Sequence, residues 1–189
     1  ESGWTLLDVG CFDGTIGKRL IDQGNTVYGI DASERALELA RQKGVLARRG
    51  NLEEPFDFES GFFDAVLAGE IIEHVYDIDQ FLSEIHRVLK PGGVLLLSTP
   101  NLATLGRRLL LLVNKNPHID ISFTGEAAGH IRYFVRDTLY AILARHRLQV
   151  ASLTSDVVNL NASGSLRLVW LARLVPTLGR CLIVKARKF

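Results

Sequence analysis

The segment Leu6-Leu-Asp-Val-Gly-Cys-Phe-Asp-Gly-Thr-Ile-Gly17 runs from an apolar strand into a glycine turn that opens a helix. Such a turn lets backbone approach a ligand. Gly10 and Gly14 withdraw side chains from a bound molecule's path, and amides at the start of the helix can donate to its polar groups. Glycines here also serve helix–strand packing, so the turn alone does not decide. Asp31 closes the next strand 21 positions after Gly10, where a doubly wound fold places an acid that accepts hydrogen bonds from ribose hydroxyls. Its plain structural role would be that of a helix-capping acid. A dinucleotide turn reads G-x-G-x-x-G, whereas Phe12 and Thr15 stand at the second and third glycines. That counts against a nicotinamide cofactor, because the second glycine admits the pyrophosphate. Farther along, Glu70, Glu73 and His74 follow a later strand, and His74 is the first choice for a group beside a reacting substrate. A structural histidine fits that position equally well. His130, in Gly129-His-Ile-Arg-Tyr-Phe134, is the second choice. His118 and Tyr133 are weaker candidates, while His86 and His146 fall on helices and read as surface residues. No metal ligands are assigned.

Apolar runs of strand length alternate with segments of helical period, the pattern of βαβ units and hence of a mostly parallel sheet with helices on both faces. Strands are expected at Trp4 to Val9, Val27 to Ile30, Val45 to Arg49, Phe63 to Ala68 and Val94 to Ser98. Helices are expected from Thr15 to Gln23, from the N-cap Ser33 to the stop at Gly44, and from the cap Asp77 to the break at Pro91-Gly92-Gly93. After Pro100 the rhythm changes. Leu102 to Val113 is very apolar yet contains Arg107 and Arg108, and Asn114 to Gly129 is irregular. A helix from Arg136 to Arg145, a strand from Leu148 to Leu153, an apolar helix near Ser165 to Leu174 and a last strand from Cys181 to Ala186 complete the chain.

With 189 residues the chain suits one domain, and 22 basic against 21 acidic residues remove any global electrostatic case for nucleic acid or an anionic membrane as the main partner, leaving only local patches. Cys11 and Cys181 have neither metal spacing nor disulfide density, so each reads as a packing residue in a reducing cytoplasm. No stretch approaches the roughly 20 apolar residues of a membrane span. With no Met and an apolar strand almost at Glu1, an amino-terminal element is expected to be missing.

The chain resembles the class I S-adenosylmethionine (SAM) dependent methyltransferases, especially the group that includes quinone-biosynthesis enzymes, over nearly its whole length. Asp8-Val-Gly-Cys-Phe-Asp-Gly14 looks like that family's D-x-G-x-G-x-G loop, Tyr28-Gly-Ile-Asp31 like its ribose-binding strand end, and Gly50-Asn-Leu-Glu-Glu54 like its adenine-side loop. The blocks Phe63 to Leu67, Glu70-Ile-Ile-Glu-His74-Val and Leu89-Lys-Pro-Gly-Gly-Val look like its fourth and fifth strand regions. Phe12 departs from the loop's middle glycine, and Asn51 stands where an aspartate is common. The resemblance implies a Rossmann-like, doubly wound, seven-stranded sheet with an antiparallel last strand and helical lid insertions. It implies SAM as cofactor, with Asp31 holding the ribose, Asn51 and the Leu52 backbone the adenine, and the loop of Asp8, Gly10, Phe12 and Gly14 the methionine moiety. The backbone around Ala68 and Gly69 would face the amino acid end. His74 and His130 would lie near the methyl acceptor, a small molecule, with residues 101–134 forming its pocket or lid; an apolar lid suits a lipophilic or aromatic acceptor. Arg107, Arg108, Arg167 and Arg173 beside apolar runs also admit a peripheral membrane contact. The competing readings are a non-catalytic SAM-binding regulatory module and a nicotinamide-dependent oxidoreductase.

Overall fold

The structure is a computed structural model that describes residues 2–117, 129–159 and 166–189. In chain order it contains β1 (Thr5–Val9), α1 (Thr15–Ile21), β2 (Thr26–Asp31), α2 (Glu34–Gln42), β3 (Leu46–Arg49), β4 (Phe63–Gly69), α3 (Ile78–Val88) and β5 (Leu89–Pro100). There follow α4 (Leu105–Leu112), α5 (Arg136–Arg145), β6 (Leu148–Thr154), β7 (Val158–Asn159), β8 (Arg167–Leu168), α6 (Val169–Leu174), a 3-10 turn (Pro176–Leu178) and β9 (Cys181–Lys188). Seven strands form one sheet in the order β3-β2-β1-β4-β5-β9-β6. The first five are mutually parallel, and β9 runs antiparallel between β5 and β6. This is the Rossmann-like sheet with an antiparallel last strand that the sequence implies. β7 and β8 pair as a separate short ribbon.

Side chains alternate between two cores because the sheet is covered on both faces. One core gathers Leu7, Val66 and Leu95 beneath Phe81 and Ile85 of α3 and Leu139 and Leu143 of α5. The other packs Leu6 and Val27 under Leu37 and Ala40 of α2. The caps expected from sequence form: Ser33 Oγ accepts from the Ala36 amide at 3.4 Å and Asp77 Oδ1 from that of Gln80 at 2.9 Å. With both caps in place, the loops preceding α2 and α3 are fixed at the carboxyl ends of β2 and β4.

Two expectations are corrected. Leu89 begins β5 rather than ending α3, and Pro91-Gly92-Gly93 lies inside that strand at a shift in its register with β4. The apolar segment after Pro100 forms a helix, α4, that buries none of its residues. The last apolar helix starts at Val169, after β8, and buries only Ala172. Among the described residues no helix is long and apolar enough to cross a membrane.

Candidate active site

Parallel strands deliver their carboxyl ends to one edge, where loops from β1, β2 and β4 converge. At the end of β1 the amides of Gly10 and Cys11 both donate to the Ile30 carbonyl, at 2.8 and 3.1 Å, which folds the turn back onto β2. Gly10 has φ +73°, and a Cβ there would stand 2.2 Å from Ile71 Cδ1. Gly14, at φ +74°, serves packing: its missing Cβ would stand 2.7 Å from Ala40 Cα, so it lets α1 close onto α2. Phe12 adopts φ +47° in place of the absent glycine, with its ring 67% exposed.

Two cavities meet at Gly10. The first, about 680 Å³, is bounded by Asp31, Asn51, Leu52, Ile71 and His74. The second, about 490 Å³, is bounded by Asp8, Phe12, Gly69, Ser98 and Ile183. Ala68 lies in the core, fully buried, next to the edge but not on it. Asp31 does not cap α2, since Ser33 does. Its Oδ2 accepts from the Phe12 amide and its Oδ1 from the Ser33 amide, both at 2.9 Å. These bonds fix the carboxylate while leaving each oxygen a lone pair for a ligand. Asn51 is used locally: Nδ2 donates to Glu54 Oε1 at 3.0 Å and Oδ1 accepts from the Glu53 amide at 3.1 Å. One amide hydrogen and one lone pair remain for an adenine edge.

Asp8 is 5% exposed, and burial, followed by the nearby charge of Asp31, raises its pKa to about 7. A buried carboxyl at that edge is best ionised beside a cation. The Cys11 thiol is buried and pushed up to about 12, chiefly by burial, and serves as packing. Cys181 is partly buried, with Sγ 3.0 Å from Glu70 Oε1, and burial raises its pKa as well.

Behind the first cavity lies a cluster that the sequence only partly exposed. Glu73 is 1% exposed; its Oε2 accepts from Thr99 Oγ1 at 3.0 Å, while Oε1 has no hydrogen-bond partner among the described residues and lies 3.9 Å from His130 Nε2. Burial raises the Glu73 pKa. The His74 and His130 rings stand 4.9 Å apart, and Tyr133 is edge-on to His130 at 6.2 Å. His74 Nδ1 lies 3.3 Å from the Gly129 carbonyl, which can only accept, so Nδ1 carries the proton and Nε2 of the neutral ring is left basic. The strap carrying His130 is held by the Ile131 and Arg132 amides, both donating to the Glu73 carbonyl, and by Arg132 Nε donating to that of Val75. Glu73, His74 and His130 each bring one ligand atom within 4.8 Å of the others, a donor set suited to a divalent transition metal. No single segment carries that set, so spacing could not reveal it.

Glu53 was also missed. Its two carboxylate oxygens accept from the Tyr76 and Asp77 amides at 2.7 and 3.0 Å, tying the β3–β4 loop to the start of α3 and closing one wall of the first cavity. His86 and His146 are not free surface residues: His86 Nε2 is buried, and His146 bridges Asp79 and Ser83 at 2.8 and 3.3 Å. His118 lies outside the described residues.

The methyltransferase domain model matches residues 7–97, the stretch from β1 through most of β5. The mitochondrial ubiquinone biosynthesis O-methyltransferase of Homo sapiens is 30% identical over 168 residues, covering 83% of this chain and 44% of that protein. Its Rattus norvegicus counterpart is 36% identical over 109 residues, covering 53% of this chain and 32% of that protein. The chain thus spans less than half the length of either relative. A SAM-dependent methyltransferase structure from Methanosarcina mazei superposes with a TM-score of 0.72 at 20% identity, covering 100% of this chain and 94% of that one. The family's cofactor, SAM, carries a ribose diol and two cationic groups; the fixed Asp31 carboxylate and the buried Asp8 lie on adjoining cavities with the complementary charge. The chain belongs to the class I SAM-dependent methyltransferase family.

Proposed function

We propose that the chain transfers a methyl group from SAM to a hydroxyl oxygen of a small, lipophilic or aromatic acceptor. The observation that carries this reading is the position of His74, whose basic Nε2 belongs to a ring bounding the same cavity as Asp31 and Asn51. Bound SAM supplies the electrophilic methyl. The protein's part is alignment, exclusion of water and removal of a proton. Asp31 would grip the ribose, Asn51 and Leu52 the adenine, and Asp8, beside Gly10 and Gly69, the cationic amino acid end. His74 would then take the acceptor's proton, with His130 and Glu73 fixing the ring and balancing its charge. Segment 101–134, which leaves β5 beside this edge and returns through His130, would wall the acceptor side. The relatives' printed activity, O-methylation, supports an oxygen acceptor. Two unbridged thiols suit a reducing cytoplasm.

The test is S-adenosylhomocysteine release with a panel of phenols and quinone precursors, run with and without a chelator to separate a histidine base from a metal-bound acceptor. Turnover with a hydroxyl acceptor and none with its O-methyl ether supports the reading. SAM binding without turnover across the panel and a broader set of amines and acids would sink it.

A further inference from the structure

We propose that α4 and α6 together form a surface that seats the protein on an anionic lipid membrane. The two helices pack on the same short strand, β7. Arg108 Nη2 reaches the Thr177 carbonyl at 3.1 Å, and Asn101 Nδ2 donates to the Thr177 and Gly179 carbonyls at 2.9 and 2.8 Å. These bonds hold α4 against the turn that follows α6. Both elements leave the sheet where Pro100 pairs with Cys181, at the edge that carries the candidate active site.

On this shared surface the apolar side chains face outward. Leu112 is 81% exposed, Trp170 63% and Leu174 74%, with Leu109, Leu111 and Val169 exposed beside them. Such a face wants an apolar partner, and charge selects which one. Segments 101–117 and 166–179 contain Arg107, Arg108, Lys115, Arg167 and Arg173 and no acidic residue, in a chain whose totals are 22 basic and 21 acidic; Arg180, just beyond, is paired with Asp156. The rest of the molecule is therefore net negative. Arg107 and Arg108 are bonded to the backbone carbonyls of Asn101 and Ala103, at 2.8 and 2.7 Å, so their charge is not cancelled. A second copy docking face to face would set like charge against like, which disfavours self-association. Exposed apolar side chains, Trp170 among them, on segments whose charged residues are all arginine or lysine match the acyl boundary and headgroups of an anionic bilayer. Docked this way, the candidate active-site edge would lie next to the lipid.

The experiment is co-sedimentation of the chain with vesicles of phosphatidylcholine alone and of equal parts phosphatidylcholine and phosphatidylglycerol. Binding to the mixed vesicles is expected to fall with added salt, with a blue shift of Trp170 fluorescence that Trp170→Phe removes. Leu112→Glu and Leu174→Glu should each lower partitioning by about tenfold or more, and Lys115→Glu, an exposed change that touches no core, by about fivefold or more. Unaltered thermal stability and SAM-induced stabilisation confirm that these variants fold. No binding to mixed vesicles at low salt, equal binding to phosphatidylcholine alone, or variants that bind like the parent would overturn the proposal. So would a concentration-dependent dimer that the same substitutions abolish. None of these readouts requires a methyl acceptor, so failure here and failure of the proposed reaction are separable.

Discussion

The backbone amide of Phe12 donates to Asp31 Oδ2 at 2.9 Å, so the residue that breaks the glycine pattern also holds the acid at the end of β2. Phe12 accepts a left-handed φ of +47° to do this. Replacement by glycine relieves that conformation and removes the ring from the second cavity without touching the amide. Phe12→Gly is therefore expected to keep or raise stability and to leave the Asp31 geometry intact. Asp31→Ala removes both the ligand contact and the acceptor for two amides. Its SAM affinity should fall by about tenfold to a hundredfold, from a charge-assisted bond worth roughly 1.5 to 3 kcal/mol. Calorimetry on the folded variants compares the two, and unchanged affinity in Asp31→Ala would reduce that acid to a loop support.

The two glycines of the turn should separate in experiment because their missing side chains face different neighbours. At Gly14 a Cβ meets the α2 backbone at Ala40, which cannot yield, and the φ is left-handed as well. Gly14→Ala is expected to cost roughly 3 kcal/mol or more of stability. At Gly10 the Cβ meets the tip of Ile71, a side chain that can turn aside into the first cavity. Gly10→Ala should unfold at a smaller cost and lose more SAM affinity than stability. Thermal denaturation with and without SAM reads both quantities, and a Gly14→Ala as stable as the parent would contradict the packing assigned to it.

Asp8 gives a pH dependence with a defined sign. Its pKa of about 7 in the fold stands above its ordinary 3.8, so the native state binds this proton more tightly than the unfolded chain does. The stabilising contribution is present at acid pH and is lost as pH rises through about 7. Asp8→Asn cannot lose a proton there, so the stability difference between variant and parent should grow in the variant's favour from pH 5 to 8 in the absence of ligand. A cationic ligand beside Asp8 favours the ionised form, so SAM affinity should rise over pH 6 to 8 in the parent and stay flat in Asp8→Asn. Parallel pH profiles for the two proteins would place the cofactor's cations elsewhere.

The ligand edge was legible in the sequence because its parts are local. Gly10 follows an apolar run, Asp31 ends the next one, and Ser33 and Asp77 are caps, so type and spacing along the chain suffice. What was not legible depends on strands meeting across the sheet. Glu73 gains its meaning from Thr99 on β5 and from the strap that returns with His130, contacts separated by 26 and more positions. The packing of Gly14 on Ala40 was also hidden, because a packing glycine and a ligand glycine have the same sequence signature. Leu89 satisfied the helical period of α3 although it pairs with Phe63 as a strand residue. That α4 leaves its apolar residues exposed was likewise hidden, because composition does not say which face has a partner.

The histidine pair supplies the remaining prediction. His74 bounds the first cavity and, with Nδ1 turned to the Gly129 carbonyl, offers Nε2 as the base; His130 stands behind it, 3.9 Å from buried Glu73. His74→Ala is expected to lower methyl transfer by about 10² to 10⁴ and to flatten the acid limb of the kcat profile, since the titrating base is gone. His130→Ala removes a support and not the base, so its loss should be smaller and the pH profile retained. Glu73→Gln keeps the Thr99 bond while removing a carboxyl whose pKa burial raises, and should lower kcat less than His74→Ala does. SAM affinity should change little in all three, as the ribose and amino acid contacts come from Asp31 and the Asp8 loop. These outcomes are read from kcat and KM against pH with an identified hydroxyl acceptor. An unchanged kcat profile in His74→Ala would assign proton removal to another group and leave the pair as a brace between the strap and the sheet.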